Sequence, residues 1–465
     1  MIRCMSFMAL TLALAAPWGL AAEGGSPIKK KTAAIDPAKA DANAGGVSRP
    51  ITKKTEPLVK PPDPTKIVQP QDVDRFWMHS EYFGAWTKEA ARPGFTLLTH
   101  GAGPVVFDQS IASIFDPHTK LYNRAKEHYE RQDGFRAGFG AWIDDNKRFG
   151  AEISGFWAEQ AEHEYKRTFL SNGGATVDFA IGMPFVDRRK QQAAFVFFVD
   201  NVGESATFTI NSKQHWYGGE AMGVMNLYRK PRLTIDAKFG FRYFSLTEDL
   251  TIDYQRFNIQ ALAGSPLGNV NGNDIGFFFD PALGGSTYVV GSNILIQDKV
   301  EARNQFYGLN IAANLKYKWK RLRLDFTPKI AVGPTWQHIS VDGTSTRVEP
   351  TGRAVTLLGG FRALPSNMGT EDWWRLAAVG EVNIKAGVEI TKNINFMAGY
   401  NLMYISNVVR AGTQFDNQLD ERLLNYGASA HTFPTDDDNF RGPFFRDKTD
   451  DYHIHAVSLG FNFTW

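Results

Sequence analysis

HAVSLGFNFTW, residues 455–465, ends the chain on strict period-two alternation. Val457, Leu459, Phe461, Phe463 and Trp465 fall on one face of an extended strand, and Ala456, Ser458, Gly460, Asn462 and Thr464 on the other. One face suits lipid and the other a polar lumen, the pattern of a transmembrane barrel strand. A strand of a soluble sandwich alternates in the same way, so the rest of the chain has to separate the two.

The N-terminus does so first. Residues 1–22 read as a secretory signal peptide: Arg3 is the positive start, MSFMALTLALAAPWGLAA (5–22) is apolar and small, and Gly19 and Ala21 fit the cleavage positions, with cleavage after Ala22 the near alternative. The run is short and carries Pro17 and Gly19, which argues against a spanning helix. The only cysteine, Cys4, lies in this leader, so the mature chain offers no disulfide framework, thiol catalysis or cysteine metal site. A secreted chain with such a last strand is expected in the bacterial outer membrane, surrounded by its lipid. Phe461, Phe463 and Trp465 then form the C-terminal insertion signal for the barrel-assembly machinery.

Mean hydropathy of −0.29 does not oppose this, because alternating strands average a lipid face against a lumen face. The 35 Phe, 15 Tyr and 11 Trp supply interfacial girdles, and the 43 Gly allow close, curved strand packing. A net charge of +2 gives no reason to expect nucleic acid. Residues 23–74 form a Pro/Lys/Ala-rich stretch; 23–72 hold nine Lys/Arg, six Asp/Glu, eight prolines and no aromatic. Such a segment cannot bury enough surface to offset its ordering entropy and reads as a disordered periplasmic tether. KKK at 29–31 is a solvated spacer more readily than a contact to anionic envelope polymers.

Over 75–465 the alternation predicts about ten strands, near 76–86, 133–143, 149–158, 214–227, 233–246, 302–317, 321–337, 374–389, 394–407 and 452–465. Short links at DDNKR (144–148), YRKPR (228–232), KWKR (318–321) and ITKN (390–393) alternate with long polar segments near 87–132, 160–213, 249–300, 339–372 and 409–450. That is the rhythm of an antiparallel up-and-down transmembrane β-barrel, all-β, with short periplasmic turns and long extracellular loops. An even number of strands leaves both termini on the periplasmic side. Twelve strands follow if 160–213 hides a further hairpin.

Several stretches resemble one family: GFRAGFGAWIDDNKRFGAEISGFW (134–157), KFGFRYFSLTEDLTI (238–252), RNQFYGLNIAANL (303–315), GGFRALPSN (359–367), AGYNLMYISNVVRAGTQFD (398–416) and FRDKTDDYHIHAVSLGFNF (445–463). Together they resemble the putative beta-barrel porin family seven of bacterial outer membranes, from about Arg75 to Trp465. The resemblance implies an outer-membrane barrel, porin-like in architecture. It brings no substrate and no functional residues, and it does not cover the tether.

The alternation places Arg136, Glu152, Asp236, Lys238, Arg242, Lys316, Arg321, Arg323, Asp325, Lys329, Glu381 and Lys385 on the lumen face. Ten strands lie near the filled end of the size range, so opposite charges are expected to pair across a plugged interior. The functional reading is a narrow charged path or solute site, with Arg242, Arg321, Arg323 and Lys329 biasing it towards anions. In TDDYHIH (449–455), Asp450 and Asp451 beside His453 and His455 are the residue types of an Asp–His pair that activates water. The two histidines share one side of a strand and no second dyad is recognisable, so no catalytic residue is assigned and a rim hydrolase is the least favoured reading. TDDD (435–438) lacks EF-hand spacing, and NGNDIG (271–276) is a turn signal. GGFRALPSN either folds inward as a constriction or shapes its loop. No metal or cofactor is expected. The sequence therefore points to porin-like passage of small polar solutes or ions, or to a non-conducting barrel whose loops serve adhesion or envelope structure.

Overall fold

The computed structural model of the chain describes residues 74–89, 96–98, 119–120, 129–170, 180–187, 192–199, 205–257, 291–416, 418–419 and 443–465. The leader and nearly all of the tether lie outside them. The strands are β1 (Phe76–Thr87), β2 (Thr96–Leu98), β3 (Thr119–Lys120), β4 (Gln132–Trp142), β5 (Phe149–Ala158), β6 (Ala161–Leu170), β7 (Ala180–Asp187), β8 (Gln192–Val199) and β9 (Ser205–Arg229). They continue as β10 (Leu233–Phe257), β11 (Asn293–Trp319), β12 (Leu322–Val348), β13 (Ala354–Leu358), β14 (Gly369–Glu389), β15 (Ile394–Val409), β16 (Gln418–Leu419) and β17 (Thr449–Thr464).

Lipid offers backbone groups no hydrogen-bond partner, so a sheet within it must close on itself. It does so in the antiparallel order β1-β4-β5-β9-β10-β11-β12-β14-β15-β17 and back to β1. The final strand seals the ring from Trp77 opposite Thr464 to Thr87 opposite Ile454. β5 and β6 both pair with β9, β5 along Tyr217–Met225 and β6 along Ser205–Gln214, and so occupy successive lengths of one ring position. β13 adds a short ladder to β12, and β16, β7, β2, β3 and β8 make a second small sheet.

Short turns at 143–148, 230–232, 320–321 and 390–393 gather at one end. Both ends of the barrel chain meet there, the Phe76 N–H donating to the Trp465 carbonyl at 2.9 Å. The ten expected strands are these ten ring positions, but several are longer than their outward apolar pattern suggested. β10, β11 and β12 run 25, 27 and 27 residues. Part of what reads as loop over 160–213, 249–300 and 339–372 is thus barrel wall.

The reason is an inversion of phase. Along β10, Phe239, Phe241 and Tyr243 point outward, whereas Phe244, Leu246, Leu250, Ile252 and Tyr254 are buried inside and Ser245, Thr247, Asp249, Thr251 and Asp253 lie opposite them. On β11 the outward Leu309, Ile311, Tyr317 and Trp319 give way beyond Tyr307 to Gln305, Arg303, Glu301 and Lys299, while Phe306, Ala302, Val300, Ile296 and Ile294 turn in. Outside apolar means lipid; outside polar with an apolar interior means water. The switch is marked by an aromatic ribbon. Tyr217–Tyr243, Tyr243–Tyr307 and Tyr307–Trp374 ring centroids lie 6.0, 5.2 and 6.3 Å apart. A second girdle at the short-turn end includes Phe76 stacked on Trp465 at 6.0 Å. Thirteen residues of β11, 307–319, lie between the girdles, more than the roughly 9–11 that a tilted strand needs.

Close strand approach requires glycine at Gly240, as at Gly333 and Gly460. A Cβ on Gly240 would run into the Ala221 carbonyl oxygen and lie 2.7 Å from the Met222 Cα, whereas one on Gly380 meets nothing within 4 Å. Gly240→Val is expected to destabilise the barrel by about 1–3 kcal/mol through this overpacking, and Gly380→Val to leave it unchanged. The temperature at which folded gel migration is lost would report both.

Candidate functional site: the occluded lumen

The inward faces of the ring carry a charged layer in the membrane half and an apolar fill beyond it. Arg242 is the centre of the first. Its side chain is fully buried, with Nη1 3.1 Å from Glu220 Oε1 and Nη2 2.6 Å from Glu381 Oε2. Lys329 Nζ lies 2.9 Å from Glu220 Oε2, and Asn401 Nδ2 donates to Glu381 Oε1 at 2.6 Å. Arg136 Nη2 and Lys329 Nζ each approach Glu381 to 3.8 Å. Nearer the short-turn end Lys238 pairs with Glu152 at 2.8 Å, the Trp77 indole N–H donates to the same carboxylate at 2.8 Å, and Lys385 pairs with Glu81. Lys316 and Asp236 lie 3.5 Å apart, and Glu389 takes both Lys318 at 2.6 Å and Arg323 at 3.3 Å.

Eleven of the twelve sequence-derived lumen residues therefore face this interior, including Asp325, which lines its cavity. Arg321 does not: it is exposed in the 320–321 turn, where the chain reverses and alternation no longer dictates a face. Glu81 and Glu220, which neutralise Lys385, Arg242 and Lys329, were missed. Both lie in phase with their strands' inward residues, and extending the parity rule along HSEYF (79–83) and GGEAMG (218–223) would have found them.

Removing the central cation leaves two buried carboxylates sharing Lys329, with Arg136 at the edge of reach. Arg242→Met is expected to cost about 3–5 kcal/mol, chiefly through Glu381, which loses its 2.6 Å partner. The double variant with Glu381→Gln, which leaves Glu220 paired with Lys329, should regain part of that loss, as read from urea-unfolding midpoints of the refolded barrel.

Above the charges the lumen closes. Phe83, Phe156, Trp216, Phe244, Phe306, Met403, Ile405 and Ile454 belong to one buried apolar cluster at the level of the upper girdle. A second cluster fills the extension, with Phe208, Ile252, Tyr254, Ile296 and Ile339 from the wall packed on Phe361, Ala363, Leu364, Val409, Ala411 and Phe415. Those last six come from two segments that turn inward. GGFRALPSN is the first, held at Asp298. Oδ1 accepts the N–H groups of Phe361, Arg362 and Ala363 at 2.9, 3.0 and 2.9 Å, and Oδ2 accepts that of Arg362 at 3.1 Å. A Cβ on Gly360 would strike the same carboxylate oxygen. The second segment follows a bulge in β15 between Ile405 and Val408, where Asn407 takes a φ of 55° that asparagine tolerates. Arg410 Nε then reaches both Glu248 oxygens at 2.8 Å, and Asn304 Oδ1 accepts the Val409 N–H at 2.9 Å.

Asp298 lies in the water-facing extension. Burial pushes its carboxyl up to about 6, against the pull of the three backbone N–H donors. With the folded value above the ordinary one, the stability it contributes is full below about pH 4 and is lost as pH rises through about 6. Amide exchange at Phe361–Ala363, corrected for intrinsic rate, should therefore be slower at pH 5 than at pH 7. Asp298→Asn should flatten that difference.

In the candidate rim dyad the carboxylates are engaged by a lysine and the two histidine rings lie 5.3 Å apart. Asp450 and Asp451 are held by Lys88 Nζ at 2.9 and 2.5 Å. His453 and His455 are in phase with the outward Val457 and Leu459, and the His455 Nδ1 lies 2.6 Å from the Tyr400 hydroxyl. NGNDIG and TDDD fall outside the described residues.

Below the hub, at the short-turn end, a cavity of about 280 Å³ remains. It runs from Glu220 and Glu381 past Lys238, Asp325 and Lys385 to Arg232 and Thr464 at the rim. A closed antiparallel ring with lipid-facing and water-facing lengths defines an outer-membrane β-barrel. The chain belongs to the Putative beta barrel porin-7 family, whose model matches residues 77–276 and 282–465. Solved structures similar to it include the outer-membrane protease OmpT from Escherichia coli, at 8% identity and a TM-score of 0.35, covering 85% of this chain and 98% of that one. Others are the transport unit of the autotransporter AIDA-I from Escherichia coli (10%, 0.20, 87% and 93%) and a Pseudomonas aeruginosa FadL homologue (9%, 0.20, 84% and 90%). No curated protein matches the chain.

Proposed function

We propose that the protein is a closed outer-membrane barrel that acts at the cell surface through its rigid water-facing extension, in adhesion or envelope structure. The observation that carries this is the inward course of 359–367 and 408–416, which with the wall residues fills the extension with packed apolar side chains. Their backbone groups are held by Asp298, Glu248 and Asn304, so this is a built closure. In this reading the short turns and both barrel termini lie in the periplasm, the tether joins there, and the terminal Phe461, Phe463 and Trp465 serve the assembly machinery. The pairing of Asp450 and Asp451 with Lys88 supports a non-enzymatic role.

Passage of small polar solutes or ions is the second reading, favoured by the charged cavity at the short-turn end. It requires both inward segments to withdraw. Planar-bilayer recording of the refolded barrel decides between them. Closure predicts a wild type that is silent, and that stays silent when 360–366 alone is replaced by a flexible Gly/Ser linker, because the second segment and the apolar cluster at the girdle still fill the lumen. Stable ion-selective steps from the wild type would establish passage instead.

A further inference from the structure

The cavity has unbalanced charge. Among the described residues, its wall and the adjoining hub bring together Arg136, Arg232, Lys238, Arg242, Lys316, Lys318, Arg323, Lys329 and Lys385 with Glu81, Glu152, Glu220, Asp236, Asp325, Glu381 and Glu389. Nine cations thus face seven carboxylates. Like charges gathered at the mouth of a cavity with low-dielectric walls focus the field there and attract a counter-ion. The imbalance has a place. Lys318 and Arg323 share the single carboxylate of Glu389, and Arg232 stands exposed at the rim beside them. The Arg323 Nε is buried and has no hydrogen-bond partner among the described residues. Lys316, about half exposed at 46%, completes the group above a space large enough for a small ligand.

We infer that this cavity is a binding site for a phosphate-type polyanion, held by Arg232, Lys316, Lys318 and Arg323 and entering from the short-turn end. The guanidinium of Arg323 supplies a directed fork and the lysines supply mobile point charges, the usual pairing for a tetrahedral anion. Asp325, on the same wall, opposes a second negative charge and limits affinity. The anion is either free in solution or the headgroup of an anionic phospholipid.

The test titrates inorganic pyrophosphate into the refolded full chain in zwitterionic detergent, where both ends are accessible, so the result is independent of conductance. Wild type should bind with an affinity that falls as salt rises. Arg232→Gln with Arg323→Gln should weaken binding about tenfold or more, and Asp325→Asn should tighten it severalfold. Folded gel migration checks each variant. Displacement of pyrophosphate by added phosphatidylglycerol assigns the site to a lipid headgroup; undiminished binding assigns it to a soluble anion. Absence of binding at low salt, or binding that ignores both variants, overturns the proposal.

Discussion

A ten-stranded ring is wide enough for side chains and little else, and the rest of this structure follows from that width. Lipid forces the ring to close, since an open edge would leave backbone groups without partners. Closure at ten strands then brings facing walls close enough for Arg242 on β10 to meet Glu381 on β14. Charges on the inner face have no room to remain hydrated, so they pair. The hub of Glu220, Arg242, Lys329 and Glu381 is this geometric necessity expressed in residues from β9, β10, β12 and β14.

The same ring continues into water, and there the demands on its two faces exchange. Period two is kept while the apolar face moves from outside to inside. This explains what was legible in the sequence. LTIDAKFGFRYF (233–244) reads as a lipid-facing strand because Phe239 and Phe241 lie on one parity, and the ten ring positions can be placed from such stretches. DLTIDYQRF (249–257) reads as loop, because Thr247, Asp249 and Asp253 end the outward apolar row. Its Leu250, Ile252 and Tyr254 occupy the opposite parity, which only a reader expecting inversion would follow. The lumen charges were legible for the same reason that Arg321 was misplaced: parity holds along a strand and lapses at a turn.

The two inward segments were not legible as such. GGFRALPSN carries glycines and a proline suited to a turn, and its burial depends on Asp298, more than sixty residues away in sequence. NVVRAGTQFD (407–416) depends likewise on Glu248 and Asn304. No local pattern encodes these contacts. They divide the interior into a packed extension and a charged vestibule at the short-turn end, so the barrel is polar in two senses: one end is built to be closed, the other to be entered.

That asymmetry is tested most directly by sided labelling. Cys4 is the only cysteine, so with it replaced by serine a single reporter can be introduced. Thr327 lines the vestibule, Lys392 is exposed in a short turn, and Thr344 is exposed on the extension. In sealed vesicles, a membrane-impermeant maleimide should label Thr327→Cys only from the side that labels Lys392→Cys. Labelling of Thr327→Cys from the side that labels Thr344→Cys would show a continuous lumen and contradict the account.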